Sequence, residues 1–188
     1  MWPLDAGQQS SECLDVKNLD GYPGVMRDEV DRLVEAWRRE RPDLDLGPME
    51  VLSRVSRLSH HLDRARRQAF AEHHLESWEF DVLAALRRAG APYELSPGRL
   101  LRETLVTSGT MTNRVDRLVA RGFVSRLPDP RDRRGVLVRL TPDGRSTVDG
   151  ALAGLLAREQ DLLAALKPAE RDRLAGLLRR LVVPFETA

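Results

Sequence analysis

The chain holds a single cysteine, Cys13. One thiol excludes an internal disulfide framework and any metal site built from several cysteines. Cys13 lies in a polar stretch with no basic cluster beside it to activate the sulfur, so it reads as an ordinary exposed thiol. No apolar run approaches the roughly 20 residues needed to span a bilayer. The first twenty residues carry acids and no apolar signal core, so no secretory signal is expected and the cytoplasm is the expected location. A glycine-rich phosphate loop and a nucleophile elbow are both missing. The four histidines come as two adjacent pairs, His60-His61 and His73-His74. Neighbours on a helix point about 100° apart, so neither pair makes a metal site by itself. His61 and His73 sit 12 positions apart, too far along one helix to share an ion. No catalytic residue, metal or cofactor is expected. There is no internal repeat and no low-complexity tract.

What is present is a chain of 188 residues, 41% hydrophobic, enough for one cored domain with extensions. The net charge of +1 conceals an uneven distribution. Between Arg99 and Arg139 stand ten arginines against four acids, +6 in 41 residues, which leaves −5 elsewhere. Such a block fits a phosphate-binding surface, and by composition alone it fits a solvated charged face equally well.

Hydrophobic periodicity orders the chain. Residues 1–25 contain Gly7, Gly21, Pro23 and Gly24 without sustained period, and read as a flexible tail. Val30, Leu33, Val34 and Trp37 follow helical spacing, ended by Pro42. Pro48 suits the first turn of a second helix that runs to about His73, with Val51, Val55, Leu58 and Leu62 as its stripe. Ser77 can cap a third helix carrying Phe80, Val82, Leu83 and Leu86, stopped by Gly90-Ala91-Pro92. Ser96-Pro97 opens a short fourth helix, and Thr107 or Ser108 caps a fifth that ends at Gly122. Two short helices joined by a tight turn form a helix-turn-helix pattern. The period then changes: 123–127 and 136–140 read as strands around a turn-rich loop at 128–135, a hairpin wing. Thr141-Pro142 starts a sixth helix with Leu152, Leu155, Leu156, Leu163 and Leu166 on its apolar side. Pro168 opens a last helix faced by Leu174, Leu177, Leu178, Leu181 and Val182.

The expected fold is mainly α with a small β-hairpin wing, a winged helix-turn-helix. Its expected organisation is a tail at 1–25, N-terminal and dimerisation helices at 26–75, a DNA-binding region at 76–141 and C-terminal dimerisation helices at 142–188. The terminal helices have apolar faces without an evident partner in a small core, and a two-fold homodimer would bury them. Packing back on their own subunit is the alternative.

Thr107, Ser108, Thr110, Thr112, Asn113 and Arg114 open the second helix of the pair, and Arg117 follows one turn on. Hydroxyls and an amide at a helix N-terminus can donate to phosphates, or reach base edges in the major groove. Thr107 and Ser108 can equally serve as simple caps. The wing loop carries Arg131, Arg133 and Arg134, a residue type favoured in narrow minor grooves. Asp132 among them suits a bidentate pair that orients a neighbouring arginine. A solvated turn is the plain reading of the same loop.

The run Thr110-Met111-Thr112-Asn113-Arg114-Val115-Asp116-Arg117-Leu118, then Arg121-Gly122-Phe123-Val124, Asp129 to Gly135 and Leu137 to Gly144, resembles the MarR family of winged-helix regulators. The resemblance covers about 47–185. It implies a homodimer on a pseudo-palindromic operator, usually a repressor released by a small ligand or by oxidation. The added N-terminal helix bearing Trp37 is similar to the urate-responsive subgroup of HucR- and PecS-type regulators. That likeness implies a ligand set of Trp37, Asp81, Arg114 and Arg126, with a shortened loop around Pro42–Pro48 as a departure.

Urate is a planar anion with ring N–H donors, and an aromatic face, guanidinium groups and a carboxylate complement it. Plain packing for Trp37, an exposed helical acid for Asp81 and a phosphate contact for Arg126 are the competing readings. Trans-aconitate, citrate or phenolic effectors would suit the same architecture, and non-specific architectural DNA binding is a further alternative. Arg114, on the recognition helix and in the implied ligand set, would couple the two sites reciprocally.

Overall fold

The structure is a computed structural model. It describes residues 27–104 and 108–186, without the side chains of Ser108, Arg133 and Arg134. The tail expected at 1–25, Cys13 and Thr107 lie outside the described residues. The described residues divide into two compact units, one up to residue 53 and one from residue 54. No helix among the described residues is long and apolar enough to cross a membrane.

In the first unit, α1 (Glu29–Glu40) starts at a reciprocal cap. The Asp28 carboxylate accepts from the Asp31 N–H at 3.0 Å, and the Asp31 carboxylate accepts from the Asp28 N–H at 2.8 Å. Arg41 closes the following turn with a two-armed bond to Asp43, at 2.8 and 2.7 Å. Val30, Val34 and Leu46 are buried together, with Met49 packed on them. The stripe expected on α1 is thus buried only in part, since Leu33 is 38% and Trp37 44% exposed. Helix α2 (Gly47–Ala71) begins in this unit and continues into the next.

The second unit holds α3 (Ser77–Arg88), β1 (Glu94–Leu95), α4 (Pro97–Thr104), α5 (Ser108–Ala120), β2 (Val124–Asp129), β3 (Asp132–Leu140), α6 (Pro142–Leu162) and α7 (Pro168–Glu186). Its core gathers one stripe from each inner element. Leu83 and Leu86 of α3, Leu100 of α4, Met111, Val115 and Leu118 of α5, Val138 of β3, and Val148 and Leu155 of α6 are all buried. The strands form an antiparallel sheet in the order β1-β3-β2.

Helix α5 ends where the chain turns left-handed at Gly122, φ 74°. The Phe123 N–H donates to the Leu118 carbonyl at 3.0 Å and the Gly122 N–H to Val119 at 2.9 Å, the paired bonds of a Schellman stop. Thr141 then ties wing to helix. Its hydroxyl donates to the Gly122 carbonyl at 2.8 Å and accepts from the Gly144 N–H at 3.0 Å, capping α6.

Several sequence expectations shift. Glu76, not Ser77, is the N-cap of α3, because the Glu79 carboxylate reaches back to the Glu76 N–H at 2.9 Å. The wing strands run longer than expected and leave Pro130 and Arg131 at the tip, so 132–135 lies in strand rather than loop. Gly135 permits this, because a Cβ there would stand 2.9 Å from the Cβ atoms of Asp129 and Asp132. The hairpin gains a third strand, β1, held by a two-armed Arg139–Glu94 bond at 2.9 and 2.7 Å. Leu163 and Leu166 fall beyond α6 rather than on its apolar side. Val51, Val55 and Leu58 of α2, Leu152 and Leu156 of α6, and Leu177, Leu178, Leu181 and Val182 of α7 are exposed, and α7 buries no residue.

Helix α6 meets the start of β2 so closely that a Cβ on Gly144 would overlap the Phe123 carbonyl oxygen. Gly144→Ala is therefore expected to cost about 1–3 kcal/mol through forced displacement of one element from the other. Thermal melting checks this, and an unchanged midpoint would contradict the close approach.

Candidate nucleic-acid interface

Helix α5 buries Met111, Val115 and Leu118, which recur at helical spacing. The opposite side then has to face solvent. Thr110, Thr112 and Asn113 are exposed there, in the first turns of the helix, where backbone N–H groups and the helix dipole favour anions. These are three of the expected DNA contacts. Ser108 starts the helix, and its side chain lies outside the described residues.

At the wing tip Arg131 is exposed, and its N–H donates to the Asp129 carboxylate at 2.9 Å. Asp129 thus shapes the turn, a role the sequence reading did not give it, although an Asp at the start of a Pro-containing turn is a usable signal. The side chains of Arg133 and Arg134, and with them the pairing expected of Asp132 with either, lie outside the described residues.

Arg114, Arg117, Arg121 and Arg126 of the basic block make contacts with acids or rings. Arg117 donates to Glu76 at 2.6 Å, and its guanidinium stands 4.7 Å from the Trp78 ring centre. Arg114, half-buried, lies 5.4 Å from the same ring. Arg121 donates to Glu79 at 2.5 Å and to the His74 carbonyl at 2.8 Å. Arg126 forms a 2.6 Å ion pair with Asp116 of α5.

A cleft of about 330 Å³ opens beside α3. Asp81 lines it, with Asp63, Arg66 and Arg67 of α2, Arg88 of α3 and the hydroxyl-bearing Ser77. Phe70 and Phe80 contribute its apolar wall, their rings stacked at 4.1 Å between centroids. Partial burial pushes the Asp81 carboxyl above its usual range, opposed by the positive charges of Arg114, Arg66 and Arg88.

Of the four ligand residues implied by resemblance, Asp81 and Arg114 are therefore near enough to interact. Arg126 ends on Asp116, and Trp37 belongs to the first unit, where it is largely unpacked. The sequence reading missed Arg66, Arg67 and Arg88. The Asp63-Arg64-Ala65-Arg66-Arg67 run was a visible signal for the first two.

Three comparisons bear on this arrangement. Residues 75–135 match the model of the MarR family. The transcriptional regulator PecS of Dickeya dadantii is 39% identical over 153 residues, covering 81% of this chain and 92% of PecS. Among solved structures, Bordetella bronchiseptica BpsR, whose DNA binding is regulated by 6-hydroxynicotinic acid, superposes with a TM-score of 0.57 at 32% identity, over 70% of this chain and 91% of that one. A mutant MarR of Escherichia coli complexed with operator DNA gives 0.59 at 28% identity, over 78% and 97%.

The raised Asp81 pKa has a thermodynamic sign. A carboxyl raised in the folded state favours folding when protonated, and that contribution is lost as pH rises through the folded value. Asp81→Asn is thus expected to raise the melting temperature near neutrality by at most a few degrees, with the gain fading as pH falls through the raised folded value and gone below the ordinary carboxylate value. Melts across pH test this. A destabilised Asn variant at neutral pH would contradict it.

Proposed function

The chain belongs to the MarR family of transcriptional regulators, and from that premise we propose that it is a homodimeric repressor released from a pseudo-palindromic operator by a small anionic effector. Urate is the favoured effector, and the cytoplasm the site of action. In family and fold the protein is a regulator of transcription and not an enzyme.

The observation that carries DNA binding is the orientation of α5. Its apolar stripe is committed to the core, so Thr110, Thr112 and Asn113 stand outward at the positive end of the helix. Thr107, Ser108, Arg114, Arg117 and the wing residues Arg131, Arg133 and Arg134 complete the proposed contact set. A second copy of the chain would cover the exposed leucines and valines of α2, α6 and α7 and place a second α5 on the next half-site.

The cleft supports the effector class. Three guanidinium groups against two carboxylates, Asp63 and Asp81, leave the lining net positive and favour an anion that also has a donor for Asp81. The Phe70–Phe80 wall favours a planar, partly apolar body. Urate has these properties, with Asp81 and Arg114 as the pair through which occupancy would reach α5, and Trp37 and Arg126 as the remaining proposed ligand residues. A second reading keeps the site and changes the molecule. BpsR responds to a hydroxylated aromatic acid, and an effector of that chemistry, like trans-aconitate, citrate or a phenol, would also present charge to the arginines.

Fluorescence anisotropy on duplex DNA from upstream of the protein's own gene tests the reading. Tight binding relative to scrambled DNA, reversed by urate, is the expected result. Specific binding indifferent to urate would move the proposal to aromatic or tricarboxylic acids. Equal binding to both duplexes would favour a non-specific architectural protein. Arg88→Ala is expected to raise the urate concentration for release about tenfold or more, the loss of one charge-assisted contact of roughly 1.5–3 kcal/mol. Leu178→Glu is expected to halve the mass seen by sedimentation and to abolish specific binding. A dimer that persists in that variant would move the interface off α7.

A further inference from the structure

Three arginines of the basic block recur on α5 and its exit at positions 114, 117 and 121, a spacing that places them along one side of the helix. Opposite them stands the first turn of α3 and its cap: Glu76, Trp78 and Glu79. The contacts interlock. Glu76 takes the Trp78 indole N–H on one oxygen at 2.7 Å and Arg117 on the other at 2.6 Å. Trp78 has Arg114 and Arg117 beside its ring, at 5.4 and 4.7 Å from the centre. Glu79 takes both the Glu76 N–H and Arg121 on a single oxygen, Oε2. Arg121 also holds the His74 carbonyl and lies 4.6 Å from the Phe123 ring centre. One guanidinium thereby joins the turn before α3, α3 itself and the start of the wing.

Glu79 is only 1% exposed, and its other oxygen, Oε1, is buried without a hydrogen-bond partner among the described residues. A buried acid satisfied on one oxygen is a costly way to join two helices, and an apolar contact of the same shape would hold them as well or better. What the acid adds is direction: a carboxylate and a guanidinium fix an angle, where apolar side chains fix only proximity. The Trp78 N–H and Arg117 also hold the Glu76 carboxyl below its usual range, so it stays charged at neutral pH.

We propose that Arg117 and Arg121 are positioning residues that set the orientation of α5 through Glu76, Trp78 and Glu79, and that neither contacts DNA phosphate. This removes Arg117 from the contact set proposed above. It rests on the reading of α5 as the recognition helix. The electrostatic sign separates the two roles. Glu76 is exposed, so a purely Coulombic account has it repel DNA, and its neutralisation should strengthen binding. In the positioning account the same change misaligns α5 and weakens binding to the specific site alone.

The test uses the full-length protein and a duplex that the wild type enriches from a randomised pool. Affinities for this duplex and a scrambled one are measured across salt concentrations, with melting temperatures alongside. Glu76→Gln is expected to weaken specific binding about tenfold, the scale of one lost charge-assisted bond, and to leave scrambled-duplex binding and the salt slope unchanged. Arg117→Gln should do the same, whereas loss of a true phosphate contact lowers the slope by about 0.9. Glu79→Gln should follow the pattern, and if that buried variant does not fold, the exposed Glu76 change still decides the matter. Tighter or unchanged specific binding by Glu76→Gln, or a reduced slope for Arg117→Gln, overturns the proposal and leaves α5 as the recognition helix. Failure of the wild type to enrich any sequence overturns that reading, and the positioning role with it.

Discussion

Helix α5 has only one face to give to solvent, because Met111, Val115 and Leu118 have no acceptable place except the core. Those three side chains lie among Leu83 and Leu86 of α3 and Leu100 of α4, so the burial of a few apolar groups determines where Thr110, Thr112 and Asn113 point. The rest of the second unit elaborates that constraint. The glycine stop at Gly122 turns the chain directly into the wing, and the Thr141 hydroxyl fastens the return of the wing to the same carbonyl. The wing and α5 are therefore joined by short, local bonds.

Electrostatics refines this placement. A count along the chain finds ten arginines between Arg99 and Arg139 and suggests a uniformly cationic surface. In three dimensions Glu76, Glu79 and Glu94, all from outside that stretch, meet Arg117, Arg121 and Arg139, and Asp116 meets Arg126. The exposed pairs among these, unlike the buried Glu79–Arg121 pair, contribute little stability. Their effect is on geometry, since each fixes a guanidinium that would otherwise range over the surface. The cationic field is then narrower than the composition implies.

The cleft and the arginine contacts beside α5 both involve α3 and its cap. Asp81 lines the cleft, while its neighbours in sequence, Glu76 to Glu79, hold the arginines of α5. Asp81 also senses Arg114 directly. Any anion that rearranges the charges around Asp81 acts within one or two turns of the contacts that orient α5.

Much of the architecture was legible in the sequence. Helical stripes, proline starts and glycine stops located α1 to α7 to within a few residues, because these signals are local consequences of backbone sterics and solvation. The hairpin wing and the helix before it were legible for the same reason. Tertiary structure decided matters in which distant residues meet. The strand β1 exists only because Glu94 and Leu95 find Arg139 and Val138 across the sheet. The arginines of the cleft, Arg66, Arg67 and Arg88, come from two helices and gain a common meaning only when those helices pack. The division of the basic block between exposed and internally paired arginines depends on acids remote in sequence, which no periodicity encodes. Local propensity and hydrophobic period determined which elements form. Packing alone determined which charges remain facing outward, because an ion pair depends on distance in space and not on distance along the chain.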